Sequence, residues 1–380
     1  MNAIWNCLKR FCLKRQNRLI FYRRRNMYIQ KKDLKYQDWA FAQRKNLPYE
    51  EKVKLAIRRI EEWNEFWEGQ VYLSFSGGLD STVLLALIRM TLGKEVPAVF
   101  CNTGLEYPEI VSFARKATLY GAFEEIRPKK NFRQVILDEG YPVISKENAA
   151  KIRKLRHGNL SERYRNYLLN GDERGKFGML PKKWQRYIDA PFEISERCCD
   201  IMKKKPFRQY VKEKGRVPFI GITQDESFHR AHQYEKTGCN VYTGSMVKSQ
   251  PLGPWTKQDI FRFVYEHLGK QIPVKGGTSY PFEICSVYKE VKRNLQGYYQ
   301  LMGEQRTGCM YCCFGVNQEE EPNRFQRMML THPKCYAFCM KAVEKGGLGL
   351  KDVLRYMEIP YETWESVGQM CLNFDEDRIA

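Results

Sequence analysis

Apolar positions recur along this chain with two periods, and the switches between them mark its elements. Glu50 to Trp67 places Val53, Ile57, Ile60, Trp63 and Trp67 at helical spacing, so residues 33–68 are predicted helical with that stripe in the core. Val71 to Phe75 is a short apolar run and reads as a buried strand. It breaks at Ser76-Gly77-Gly78-Leu79-Asp80-Ser81, and an apolar helical run follows from Thr82 to Ile88. Val96–Cys101, Phe123–Ile126 and Val217–Ile222 read as further strands, with a helix over Ile110–Ala117. Strands alternating with helices predict an α/β fold built on a doubly wound, mostly parallel sheet. A loop at Ser249–Trp255 precedes a helix from Thr256 to Tyr265, with Thr256 as N-cap and Asp259 at the capping-box position. Residues 318–358 read as mostly helical, and the acidic tail from Cys371 as loose. The expected divisions are a disordered extension over 1–32, an α/β domain over 33–270 and a Cys-containing helical region over 271–380.

Composition fits a globular chain: 43% hydrophobic, 28% charged and 13% aromatic over 380 residues, enough for two or three domains. No apolar run approaches the ~20 residues of a membrane span. No secretory signal is visible. The expectation is a cytoplasmic protein without membrane contact. The formal charge is +20, and residues 1–32 hold ten Lys/Arg and no acid. That stretch reads as a basic arm for nucleic acid or membrane surfaces, as a transit peptide, or as an extension upstream of a start at Met27. The last is favoured, because Met27 opens a more ordinary globular sequence, and no function is drawn from residues 1–26. Residues 151–190 hold eleven Lys/Arg against four Asp/Glu, interleaved with Tyr164, Tyr167, Trp184 and Tyr187. Cations for phosphates and rings for bases are what single-stranded nucleic acid grooves use. The alternative is a helical insertion whose basic face is solvated.

The candidate chemistry begins at the break after Val71–Phe75. A strand, a small-residue turn and a helix point backbone N–H groups at an anion. Gly77 and Gly78 let the main chain come close, Ser76 and Ser81 carry hydroxyl donors, and the helix N-terminus adds about half a positive charge. The Walker pattern GxxxxGK[ST] is absent. In an open α/β sheet ligands bind beyond the carboxyl ends of strands, which is where Asn102-Thr103-Gly104 and Thr223–Ser227 fall. Glu226 and Arg230 form either a surface i,i+4 ion pair or a second pair of nucleotide contacts.

Thirteen cysteines is many for an intracellular chain, where clusters mean metal or redox chemistry more often than disulfides. Cys198 and Cys199 are adjacent, and Cys309 and Cys312 form a C-x-x-C pair. Together they make four thiolates, which suit [4Fe–4S] or zinc; spacing does not choose between them. Arg197, Lys203, Lys204, Lys205 and Arg306 would stabilise such thiolates. Cys101, Cys239, Cys285, Cys335 and Cys339 read as core.

Ser76-Gly77-Gly78-Leu79-Asp80-Ser81 resembles the PP-loop of the ATP pyrophosphatase superfamily, with Leu79 where many members carry Lys. Residues from about 50 to 315 resemble the phosphoadenosine phosphosulfate (PAPS) reductase family. The matching pieces come in the family's order: the PP-loop, Asn102–Pro108, Cys198-Cys199 with Lys203–Pro206, Gly221…Glu226-Ser227…Arg230, Pro251…Trp255…Asp259, and Cys309–Cys312. The resemblance implies an adenine nucleotide α-hydrolase-like sheet. It implies nucleotide phosphates at Ser76, Gly77, Gly78, Asp80 and Ser81, and adenine or ribose near Asn102, Thr103 and Gly104. The cysteine pattern is similar to the [4Fe–4S] set of the adenylyl-sulfate (APS) reductase branch, which assigns Cys198, Cys199, Cys309 and Cys312 to iron. Those reductases use a nucleophilic Cys in a C-terminal Glu-Cys-Gly-like motif, and Cys371 does not match it.

The reading that follows is an ATP pyrophosphatase that adenylates a substrate for sulfur transfer, with Asp80 and Ser81 catalytic, Mg²⁺ at Asp80, and a sulfur or electron donor protein as partner. DNA phosphorothioation proteins and cluster-dependent tRNA thiolases resemble this scheme. Two alternatives stand beside it: a PAPS or APS reductase producing sulfite, and a non-enzymatic nucleotide-sensing partner.

Overall fold

The computed structural model describes residues 43–175, 177–223, 234, 238–244 and 247–362. The basic extension, Glu226, Arg230 and Cys371 lie outside the described residues. In chain order come α1 (Tyr49–Phe66), β1 (Val71–Phe75), α2 (Leu79–Leu92), β2 (Ala98–Cys101), α3 (Pro108–Lys116) and β3 (Phe123–Ile126). Next are α4 (Phe132–Glu139), β4 (Val143–Ile144), α5 (Lys146–His157), α6 (Glu162–Asn170) and α7 (Lys205–Lys214). Then follow β5 (Val217–Ile220), β6 (Asn240–Val241), β7 (Lys248–Ser249) and α8 (Lys257–His267). Two hairpins come next, β8 (Gln271–Val274) with β9 (Thr278–Pro281) and β10 (Val291–Arg293) with β11 (Tyr299–Leu301). β12 (Cys313–Phe314), α9 (Arg324–Thr331), α10 (Pro333–Met340) and α11 (Leu350–Tyr356) close the series.

These elements divide into two compact units, each assembled from separated stretches of chain. The first takes the described residues up to Phe100, then Pro108–Glu125 and Tyr210–Arg306. The second takes Cys101–Tyr107, Ile126–Gln209 and the described residues from Thr307 on.

The first unit is built on a six-stranded sheet in the order β3-β2-β1-β5-β7-β6. β1 runs parallel to β2 and β5, β5 parallel to β7, and β6 is an antiparallel edge. The mostly parallel, doubly wound sheet expected from the strand–helix alternation is therefore present. β1 is central: Val71, Tyr72, Leu73 and Phe75 are all buried, as a strand covered on both faces requires. α1 begins at Tyr49, and its buried face is Tyr49, Lys52, Ala56, Ile60 and Trp63. Val53, Ile57 and Trp67 of the expected stripe are only half-buried. The rotation has a cause, since buried Lys52 meets Asp259 of α8 at 2.6 Å. Thr256 caps α8 and Asp259 completes the capping box, as the sequence indicated. Arg89 of α2 is wholly buried, and its guanidinium donates to the carbonyls of Val96 (2.6 Å), Gly93 (3.2 Å) and Ala122 (3.1 Å). Residues 271–301 form the two hairpins rather than helices, the first turning at Gly276 and Gly277 with φ of 107° and 95°. The helices of the Cys-containing region begin at Arg324.

The second unit packs α4, α5, α9 and α11 around the parallel pair β4·β12, in which Cys313 lies opposite Val143 and Phe314 opposite Ile144. Ile152, Tyr187, Phe325 and Leu354 fill its core. Asn131 and Asn323 start α4 and α9 with full capping boxes. Among the described residues, no helix is long and apolar enough to cross a membrane.

Candidate functional site

In the first unit β1 ends at Phe75 and the chain bends sharply into α2. Gly77 makes the bend at φ +71°, and a Cβ there would meet Ile110 Cγ2 at 3.0 Å. The position therefore excludes any side chain on two grounds. Gly78 sits at the N-cap of α2, and no side chain caps the helix. The amides of its first turn are left to other acceptors. Ser76 is exposed, Gly78 and Asp80 are half-exposed and Ser81 is buried, so the bend is open on one side. The two hydroxyls brace the loop itself. Ser81 Oγ accepts from the Ser76 amide (3.3 Å), donates to the Gly78 carbonyl (2.9 Å) and lies 3.0 Å from Ser76 Oγ. Ser76 Oγ accepts from the Gly78 amide at 3.2 Å. Asp80 stands in the first helical turn. Leu79 is a core side chain, which uses for packing the position where a lysine would offer charge.

Gly221, directly after β5, completes the wall behind this loop. A Cβ on it would lie 2.9 Å from both Cα and N of Ser81 and 3.0 Å from the carbonyl carbon of Asp80. The two chain segments touch through backbone alone.

In the second unit the turn after β2 is held by its own side chains. Asn102 Oδ1 accepts from the Gly104 amide (3.1 Å), and Glu106 accepts from the amide (3.0 Å) and the hydroxyl (2.8 Å) of Thr103. Gly104 is exposed at φ +72°. This turn is tied to both cysteine segments. The Leu105 carbonyl accepts from the Met310 amide (2.8 Å), the Cys101 thiol donates to the Met202 carbonyl (3.4 Å), and Glu106 pairs with Lys203 (3.4 Å).

Cys198 and Cys199 lead into a π-helical turn, Asp200–Lys204, a rare element that recurs at functional sites. Their sulfurs are 3.9 Å apart. The Cys198 thiol donates to Cys199, which lowers Cys199 to about 5; burial opposes the shift, and Lys146 and Lys203 support it. Cys198 is pushed up by the same hydrogen bond and by burial, with Cys199, Cys312 and Cys309 adding. Burial also raises Cys309, with Lys203 opposing. Cys312 is pushed up to about 11 by burial, then by Cys309. Burial disfavours charge on Lys203, but Cys309 and Glu106 outweigh it and hold the ammonium above its ordinary value. The four thiols thus act on one another electrostatically. Among the described residues, no group of three or more His, Cys, Asp or Glu side chains is placed to hold a metal ion.

The cations differ in part from those the sequence suggested. Lys203 faces the thiols as expected. Arg197 instead pairs with Glu139 (3.0 Å), Lys204 and Lys205 are exposed, and Arg306 belongs to the first unit. Lys146 and Arg324 take their places: Arg324 donates to the Cys312 carbonyl (2.8 Å) while held by Glu319. Neither was legible: Lys146 lies far from the cysteines in sequence, and Arg324, twelve residues past Cys312, carries no signal that it turns back to it. Cys101, Cys239, Cys285 and Cys339 are buried as expected, and Cys335 is half-buried. Within 151–190, Tyr187 turns into the core while Tyr164 and Tyr167 stay exposed.

The phosphoadenosine phosphosulfate reductase domain model matches residues 70–174 and 159–274, together more than half of the chain. The match contains the loop at 76–81 and Cys198-Cys199, and ends before Cys309. An uncharacterized protein of Methanocaldococcus jannaschii is 25% identical over 212 residues, 55% of this chain. The chain spans about a third (34%) of the length of that curated relative. The crystal structure of a phosphoadenylyl-sulfate (PAPS) reductase from Candida auris, a phosphate complex, aligns with a TM-score of 0.34 and 14% identity, over 66% of this chain and 98% of that one. By its domain match, this chain belongs to the PAPS reductase family of PP-loop proteins.

Proposed function

We propose that this protein binds ATP at Ser76–Ser81 and cleaves it between the α and β phosphates, adenylating an acceptor for sulfur transfer. The observation that carries the reading is the open, uncapped start of α2 behind Gly77 and Gly78. A helix start without a side-chain cap and the helix dipole favour a polyphosphate there, and they stabilise the charge that develops on departing pyrophosphate. In the step itself an acceptor oxygen bonds to the α-phosphorus. The bond from that phosphorus to the α–β bridging oxygen breaks, and pyrophosphate leaves with the electron pair. A sulfur nucleophile then displaces AMP from the activated atom. Asp80, half-exposed at the helix start, is the proposed Mg²⁺ ligand, and Ser81 the residue that holds the loop's shape. Asn102, Thr103 and Gly104 are the proposed adenine or ribose contacts.

The donor set proposed for an iron–sulfur cluster lies in the second unit. It comprises Cys198, Cys199, Cys309 and Cys312, with one thiol already acidic and Lys146, Lys203 and Arg324 close by. When bound, such a cluster supplies a place for incoming sulfur or an electron; the chain's part is to hold four thiolates and neutralise them.

Nucleic acid is the proposed acceptor class. The test is to incubate the full chain with ATP, Mg²⁺ and nucleic acid and to measure pyrophosphate, which wild type should release and Asp80→Ala should not. No pyrophosphate would sink the reading. Sulfite from PAPS or APS with thioredoxin would establish reductase chemistry instead. Anaerobic purification should yield iron and absorbance near 400 nm, both lost in Cys309→Ser.

A further inference from the structure

We infer that the exposed face of α6 is a stacking platform for a single-stranded nucleic acid. The inference extends the acceptor class proposed above, but it stands on different residues. Tyr164 and Tyr167 lie one helical turn apart and are each 37% exposed. Their ring centroids are 6.1 Å apart and the planes differ by 18°, so the two rings form one near-parallel ledge.

The ledge is held in place. Lys154 of α5 donates to Tyr164 Oη at 3.2 Å and stands 5.6 Å from its ring centroid. Tyr167 rests on Gly178, where a Cβ would come within 2.0 Å of its ring. Two exposed tyrosines fixed by a lysine and a glycine leave little rotamer freedom to lose on binding. Phe177, 67% exposed, lies in the loop that follows α6.

The charge around the ledge selects the occupant. Lys151, Arg153, Arg156 and Arg186 of this insertion are engaged with carboxylates. Among the described residues, Lys154, Arg163 and Arg165 have no carboxylate partner; Arg165 donates to the Leu155 carbonyl, and Arg163 is exposed. An apolar protein partner has no use for these cations, and a duplex hides its base faces in the stack. A single strand uses both features, with phosphates on the cations and bases on the rings.

The experiment titrates the full chain, without nucleotide, into fluorescein-labelled single-stranded DNA, single-stranded RNA and duplex DNA, followed by anisotropy. Omitting ATP keeps a failure of the surface distinct from a failure of the chemistry. Wild type should bind one or both single strands more tightly than duplex. Tyr164→Ala and Tyr167→Ala should each weaken binding about fivefold or more, and the Phe variants should retain it. Lys154→Gln with Arg163→Gln should flatten the salt dependence of log K by about 1.4 for two lost phosphate contacts. Far-ultraviolet circular dichroism checks that the Ala variants fold; should they not, the wild-type preference for single strand and the salt slope decide. Three outcomes would overturn the inference: equal binding of duplex and single strand, Ala variants that fold and bind like wild type, or displacement of the strand by polyglutamate at equal charge concentration, which would assign the face to acidic protein segments.

Discussion

Gly221→Ala isolates the contact on which the nucleotide loop depends. The new Cβ would lie 2.9 Å from Ser81 Cα and N, and ordinary contact begins near 3.4 Å. Either β5 or the start of α2 must therefore yield by about 0.5 Å, and both opposing atoms are backbone, so no rotamer change relieves the clash. Overpacking of this kind costs about 1–3 kcal/mol. At about 2–4 °C per kcal/mol for a body of this size, Tm should fall by about 2–12 °C. The larger effect should be on binding, because the displaced nitrogen is one of the amides proposed to meet the phosphates. Calorimetric titration with a non-hydrolysable ATP analogue should show affinity lowered at least tenfold, the loss of about one good hydrogen bond to a charged group. Gly215→Ala is the control. That glycine precedes the same strand at φ +70° with nothing within 4 Å of a Cβ, so the substitution should cost about 1–2 kcal/mol of backbone strain and leave affinity unchanged. Equal losses of affinity in both variants, or none in Gly221→Ala, would refute the account of the loop.

Two further outcomes follow from buried groups. Arg89→Met should lower the unfolding free energy by about 3–5 kcal/mol in urea titrations, because the carbonyls of Gly93, Val96 and Ala122 lose their shared donor; a loss under about 1 kcal/mol would mean that the carbonyls find other partners. In reduced, metal-free protein, Cys199 should be alkylated by iodoacetamide before Cys198, followed by peptide mass mapping. With its value lowered to about 5 by the Cys198 hydrogen bond, Cys199 is a thiolate at neutral pH, so its rate should be flat there and fall only as pH drops through about 5. A rate that still climbs steeply above neutral pH would place the thiolate elsewhere.

How much of this was legible depends on how local each feature is. β1, the bend at 76–81 and the capping box at Thr256 and Asp259 came from residues within a few positions of one another, and they stand where the pattern put them. Hydrophobic period and cap chemistry are short-range, so a sequence carries them whole. The hairpins at 271–301 are not legible although Gly276-Gly277 is a turn signal, because strands of three or four residues carry too few positions for an alternation to stand out, even where β8 alternates. The burial of Lys52, the wall that Gly221 makes behind Ser81, and Lys146 and Arg324 beside the thiols belong to another class. Each depends on a partner from a dozen to some two hundred residues away, and an isolated glycine, lysine or arginine looks the same whether or not that partner arrives. The sequence by itself determined which groups are chemically able to hold a nucleotide or thiolate-bound metal; the tertiary structure decided which cations meet the thiols and which backbone meets the loop, because long-range packing, and not residue type, brings those atoms within a few ångströms.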